Sequence, residues 1–137
     1  MMVSTKGRYA LRVMIDIAQN ENDTFVSLKE VAQRQGISIK YLEAIVAILN
    51  KAGMLDSKRG KEGGYRLSMP TEAYRVSEIL KLTEGSLVPV SCMEDGGCVN
   101  CSHNSDCYTL PLWNKLDELI EGYLSGITLE DLMNGKV

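Results

Sequence analysis

Four cysteines fall between residues 92 and 107, in the order Cys92, Cys98, Cys101 and Cys107, and the chain has no others. Thiolates are soft ligands that suit zinc or iron–sulfur clusters, and they are also the groups that join as disulfides. A disulfide framework spreads its staples along a fold, whereas these cysteines crowd into one stretch, which points to metal binding or redox chemistry in a reducing compartment. Only Cys98 and Cys101 have the two-residue spacing that a zinc ribbon or finger uses twice, so spacing alone leaves the metal open. His103, the single histidine, stands inside the cluster, either as a further ligand or as an ordinary loop residue. Gly96, Gly97, Asn100 and Asn104 surround the thiols and let the chain bend toward one centre at low steric cost.

A second group of chemically capable residues lies upstream. Leu42, Ile45, Val46 and Leu49 recur at helical spacing, and the opposite side of that helix offers Ser38, Lys40, Tyr41, Glu43, Ala44 and Ala47. Small residues at 44 and 47 permit close approach to a surface. Lys40 and Tyr41, near a helix N-terminus, suit phosphate or base edges, and Glu43 suits a cytosine amino group. A solvated face would carry similar residues. The following segment separates the two readings: Lys58, Arg59, Lys61 and Arg66 flank Gly60, Gly63 and Gly64, a basic tip whose backbone can come close to a phosphate or enter a minor groove.

Positioning these groups requires a particular set of elements. The periodicity predicts a helix over 5–20 capped by Ser4 or Thr5, then a short helix opened by Ser27 and Glu30 and ended by Gly36. A third helix over 39–52 is capped by Ser38 and ended by Gly53. Helix, glycine-centred turn, helix is a helix-turn-helix, and two short strands around the basic loop add a hairpin, giving a mainly α winged helix-turn-helix. A helix from Val76 closes at Gly85, and residues 86–108 form the cysteine loop. A long helix from Pro111 then carries Trp113, Leu116, Leu119, Ile120, Tyr123 and Leu124 on one face, and Thr128 to Asp131 cap a last short helix. The expected division is a winged-helix DNA-binding part over 1–70, and a linker helix, cysteine loop and dimerisation helix over 71–137. The wide apolar face of the long helix predicts pairing with a second copy, which would set two recognition helices against a pseudo-palindromic duplex.

Composition agrees with a nucleic-acid partner. Residues 1–66 hold 11 Lys+Arg against 7 Asp+Glu, a net +4, while 67–137 hold 4 against 11, a net −7. A basic half on an acidic chain is the electrostatic outline of a DNA-binding half. No apolar run approaches the ~20 residues of a membrane span, and the N-terminal residues enter a helical pattern without an apolar leader, so the expected location is the cytoplasm. The sequence contains no nucleophile–base constellation and no phosphate loop, which argues against an enzyme or a small redox metalloprotein.

Ser4 to Tyr9, the helix start Ser38 to Glu43, the wing Arg59-Gly-x-x-Gly-Gly-Tyr65, the cysteine loop running into Trp113, and the ending Ile127 to Leu132 together resemble the Rrf2 family of bacterial regulators, over essentially the whole chain. Its members include an iron–sulfur-cluster regulator, a nitric-oxide-sensing repressor and a cysteine-metabolism repressor. The resemblance implies a winged-helix dimer with crossed C-terminal helices that binds DNA through the third helix and the wing. It also implies that Cys92, Cys98 and Cys107 are cluster ligands, Cys107 standing before Trp113 as the pattern requires. The iron–sulfur-cluster regulator takes its fourth ligand from a histidine three residues before the tryptophan, where this chain has Leu110. The nitric-oxide sensor takes an acid from its partner's first helix, where this chain has Arg8. Cys101 and then His103 are the remaining candidates, with a two-iron or a four-iron cluster. A cluster-free thiol switch, or a regulator answering to a partner protein or metabolite, is the alternative on the same fold.

Overall fold

The computed structural model describes residues 3–96 and 106–137. Six α-helices and one hairpin follow in the order α1 (Thr5–Asn20), α2 (Leu28–Gln35), α3 (Ile39–Lys51), β1 (Leu55–Lys58), β2 (Gly64–Leu67), α4 (Val76–Glu84), α5 (Leu110–Gly126) and α6 (Leu129–Met133). The helix starts obey local chemistry. Ser4, Ser27 and Ser38 each sit in extended backbone and accept, through the side-chain oxygen, from the N–H three residues on, satisfying a donor that the first turn leaves orphaned. Thr128 and Asp131 form a reciprocal capping box at α6.

One core joins nearly every element. Ala10, Val13, Met14 and Ile17 of α1 pack with Val31 of α2 and with Leu42, Ile45, Val46 and Leu49 of α3, all fully buried or nearly so. The apolar stripe expected on α3 is therefore the stripe that is buried. Tyr74, Ile79 and Leu129 enter the same core from the C-terminal half of the chain, and a bridge between Arg75 and Thr128 ties the approach to α4 to the segment after α5. A second, smaller cluster of Val76, Leu80 and Leu87 packs against Leu11 of α1 and Leu124 of α5.

Polar connections also hold α1 against its neighbours. Asp16 is only 2% exposed, and its carboxylate accepts from Arg34 Nε at 3.1 and 3.0 Å, from Arg34 Nη2 at 2.7 Å and from Gln35 Nε2 at 2.8 Å. The bidentate bond to Asp16 raises the Arg34 pKa above its already high ordinary value, and removing the partly exposed arginine would leave the buried Asp16 carboxylate without its counter-ion. At the other end, Glu84 Oε1 accepts from Ser4 N at 3.0 Å and Ser4 Oγ at 2.6 Å, placing an anion at the positive end of α1.

Candidate functional site

The turn between α2 and α3 aims the recognition surface. Gly36 adopts the left-handed conformation, φ 65°, that ends α2, and Ile37 plugs into the core before Ser38 opens α3. With four apolar residues of α3 turned inward, Ser38, Lys40, Glu43, Ala44 and Ala47 are exposed along the outer face, joined by Ile39, Asn50 and Lys51. Tyr41 departs from this set. It is half-buried, and its ring stands edge-on to Tyr9 with centroids 5.7 Å apart, so part of its job is packing.

The wing is fastened at its root and free at its tip. Leu55 pairs with Leu67 on the buried side, and the register runs through Asp56 and Arg66, Ser57 and Tyr65, to Lys58 and Gly64. Val26 adds a third strand position, exchanging two 2.8 Å backbone bonds with Tyr65. That approach explains Gly64, since any Cβ there would run into the Val26 carbonyl. The Glu21 carboxylate accepts from Leu67 N at 2.8 Å. The buried Tyr74 hydroxyl donates to Met54 O at 2.7 Å and accepts from Ser68 N at 3.0 Å and Met69 N at 3.1 Å, closing the hairpin's open end. Beyond this root, Lys58, Arg59, Gly60 and Lys61 are all exposed. Lys58 and Arg66 lie 5.8 and 4.6 Å from the Phe25 ring centroid, so the ring steadies both cations.

The sequence reading missed Phe25, Glu21, Val26 and Tyr74 as parts of this apparatus. It also missed Asn50 and Ser57, which line a groove between α3, the start of α2 and the wing together with Ser27, Lys58 and Arg59. The groove therefore joins the wing to the start of α2 and to the C-terminal end of α3 at Asn50, with Lys58 and Arg59 among its walls. Such a concavity between a helix and a glycine hairpin suits a phosphate backbone.

The cysteines divide. Cys92 is exposed within a 3-10 turn over 91–96, a short element that the sequence reading left as loop. Cys107 is half-buried just before α5, and its Sγ lies 3.3 Å from Thr109 Oγ1. The Thr109 hydroxyl, followed by the backbone N–H groups of Thr109 and Leu110, stabilises the thiolate and holds the Cys107 pKa below the ordinary thiol value. Cys98, Cys101 and His103 lie outside the described residues. Among the described residues no three His, Cys, Asp or Glu side chains converge on one centre. The donor chemistry fits a thiolate-ligated group at two of its four expected positions.

α5 corrects the expected apolar face by a rotation. Ile120 and Leu124 are half-buried against the chain's own body, Leu124 packing with Val76, Leu80 and Leu87. The side left open carries Leu112 (59% exposed), Leu116 (37%), Leu119 (59%) and Tyr123 (56%), with spacings of four, three and four residues. No residue of α5 is fully buried. Among the described residues, no helix is long and apolar enough to cross a membrane.

Comparison with known proteins gives a consistent answer. Residues 3–135 match the Rrf2 family model, described as an iron-dependent transcriptional regulator. The chain is 37% identical over 136 residues to the HTH-type transcriptional regulator IscR of Klebsiella pneumoniae (strain 342), covering 99% of this chain and 82% of that protein. Among solved structures it is similar to CymR, the global cysteine regulator of B. subtilis, with a TM-score of 0.77, 35% identity and coverage of 96% and 95% of the two chains. It is equally similar to T. potens IscR, with a TM-score of 0.77, 36% identity and coverage of 100% and 89%.

Proposed function

The chain belongs to the Rrf2 family of DNA-binding transcriptional regulators, and from that premise we propose that it is a homodimeric cytoplasmic repressor whose grip on a pseudo-palindromic operator is set by an iron–sulfur cluster. The observation that carries the DNA half of this reading is the joint exposure of the polar, small-residue face of α3 and of the basic, glycine-rich wing tip that follows it. Ser38, Lys40, Tyr41 and Glu43 address the major groove, and Lys58, Arg59, Gly60, Lys61 and Gly64 belong to the wing that follows the backbone or the minor groove. Residues 1–70 do the binding, and 71–137 supply the sensor loop and the dimer helix. Gly64 contributes indirectly, by letting the wing root close on Val26.

For the sensing half, Cys92, Cys98 and Cys107 hold the cluster with Cys101 as fourth ligand, ahead of His103. Thiolates supply the negative charge that a two-iron or four-iron cluster needs, and the Thr109 hydroxyl beside Cys107 favours the ligating form of that thiol. The cysteine segment lies in sequence between α4 and α5, so a group held by these thiols would be placed to bias the spacing of two recognition helices whose half-sites sit about 34 Å apart. The second reading, a cluster-free thiol switch, is favoured by the exposure of Cys92 and the thiolate character of Cys107.

Anaerobic purification followed by a visible spectrum with iron and sulfide counts separates the two. The cluster reading expects colour in the parent, its loss in Cys92→Ala, Cys98→Ala and Cys107→Ala, and greater impairment in Cys101→Ala than in His103→Ala. A parent without iron after reconstitution, yet binding its operator only when reduced, establishes the switch instead. On DNA, Arg59→Ala weakens binding to all sequences and lowers the salt slope by about 0.9 for one lost phosphate contact, while Glu43→Ala relaxes discrimination by about 1–3 kcal/mol at one or two base positions. Unchanged affinity and base preference in both variants would overturn the interface.

A further inference from the structure

Tyr9, Arg12 and Asp16 follow one another along one face of α1, and each reaches a different part of the helix-turn-helix. Tyr9 meets Tyr41 on the first turn of α3, the two ring planes at 89°. The Arg12 guanidinium lies 5.3 Å from the Tyr9 ring centroid. Its Nε donates to Gln35 Oε1 at 3.0 Å and its Nη2 to Gln35 O at 2.7 Å. Gln35 Nε2 in turn donates to the buried Asp16.

Gln35 is the last residue of α2, and its carbonyl is one of those a helix leaves without an internal partner. Immediately after it come the left-handed Gly36, the buried Ile37 and the Ser38 cap of α3. Arg12 therefore holds the outgoing end of α2 with two donors of its fork and lies near the ring that abuts α3. A charge at a helix C-terminus is favourable in itself, but the planar, two-armed donor with a flat face is particular to arginine. Arg12 thus touches both sides of the α2–α3 junction, beside the Asp16 carboxylate that holds Arg34 and Gln35.

We infer that Arg12 is a positioning residue for sequence discrimination: through Gln35, and through Tyr9 against Tyr41, it sets the angle at which Ser38, Lys40 and Glu43 of α3 meet base edges, without touching the bases itself. The inference rests on the reading of α3 as the base-contacting helix.

The test measures anisotropy of the full-length dimer with its operator, a single-mismatch operator at the base read by Glu43, and an unrelated duplex, across a salt series. Parent, Glu43→Ala, Arg12→Ala and Arg12→Lys are compared. Both Arg12 variants are expected to reduce the operator-to-mismatch ratio about tenfold, while affinity for the unrelated duplex and the salt slope stay at parental values. Restoration by Arg12→Lys, with a lowered slope in Arg12→Ala, would make Arg12 a phosphate ligand and overturn the inference. A cycle pairing Arg12→Lys with Tyr41→Leu gives a measurement that does not depend on folding alone. The two losses combine to less than their product if both act through one junction, and fully multiplicative losses overturn it. Glu43→Ala losing discrimination while both Arg12 variants keep it leaves the α3 reading standing and removes this one. A parent that does not discriminate removes both.

Discussion

The two ends of this chain treat their apolar residues in opposite ways. On α3, Leu42, Ile45, Val46 and Leu49 are sealed inside a core shared with α1, α2 and the hairpin. On α5, Leu112, Leu116, Leu119 and Tyr123 form an equally regular stripe that faces outward. The chemistry of the stripes is alike, and what differs is whether the chain itself supplies the covering surface. The winged-helix part covers its own stripe, whereas α5 packs chiefly on α4 and leaves its outer stripe uncovered by the chain. A contiguous exposed apolar stripe of this kind marks an interaction surface, and its four-three-four spacing suits a second helix packed lengthwise.

The sharpest way to break the comparison is to charge the open stripe. Leu116→Asp with Leu119→Asp is expected to give a monomer that keeps its helical content and loses operator binding by orders of magnitude. A double variant that sediments as a dimer would place the interface elsewhere. The same loss of apolar surface in the sealed stripe should act on stability instead. Leu49→Ala is expected to cost about 2–5 kcal/mol in urea unfolding through the cavity it leaves, without altering the subunit association of the molecules that remain folded. A cost below about 1 kcal/mol would mean that this core is not packed as described.

A third prediction tests the wing root. Tyr74→Phe keeps the ring and removes the hydroxyl, leaving Met54 O and the Ser68 and Met69 N–H groups without that partner. It is expected to cost about 1–3 kcal/mol and to speed hydrogen exchange at the root of the hairpin relative to α3. Parental exchange at Ser68 and Met69 would show that the root is held by other contacts.

The smallest expected effect lies in the Thr128–Asp131 cap, where the chain returns from α5 to the core. The backbone N–H of Thr128, then its hydroxyl, hold the Asp131 pKa below the ordinary aspartate value. The stabilisation is therefore complete above the ordinary aspartate range and is lost as the pH falls through the depressed value. Asp131→Asn should lower stability slightly at neutral pH and converge with the parent in acid, which flattens the acid limb of the stability curve. An acid limb that superimposes on the parent's would exclude this contribution.

Much of this was legible in the sequence because it is local. Ser4, Ser27, Ser38 and Thr128 announce their helices within three residues, Gly36 announces the turn, and the α3 stripe repeats at its own period. The fastening of the wing was not, because Glu21 reaches Leu67, Val26 reaches Tyr65 and Tyr74 reaches Met54 across long stretches of chain. A side chain bonding a distant backbone group leaves no periodic trace. The face of α5 was half legible: spacing identifies apolar residues, but which of them meet the chain's own α4 depends on how the helix is rolled, and that is decided by Leu124 and its partners. Cys98, Cys101 and His103 stay at the level of spacing and resemblance.

Tyr74 has one more consequence, for how the chain can change over time. Its hydroxyl joins Met54, before the wing, to Ser68 and Met69, after it, from a position at the doorstep of α4. The segment from Ser68 to Tyr74 is thus a closed ring, sealed by hydrogen bonds instead of a covalent link. An inserted or deleted residue in it would pull the phenol off its partners and leave its own buried hydroxyl and the Met54 carbonyl without their bond. The length of the stretch between the wing and α4 is thereby fixed in this chain by a hydrogen-bonded closure.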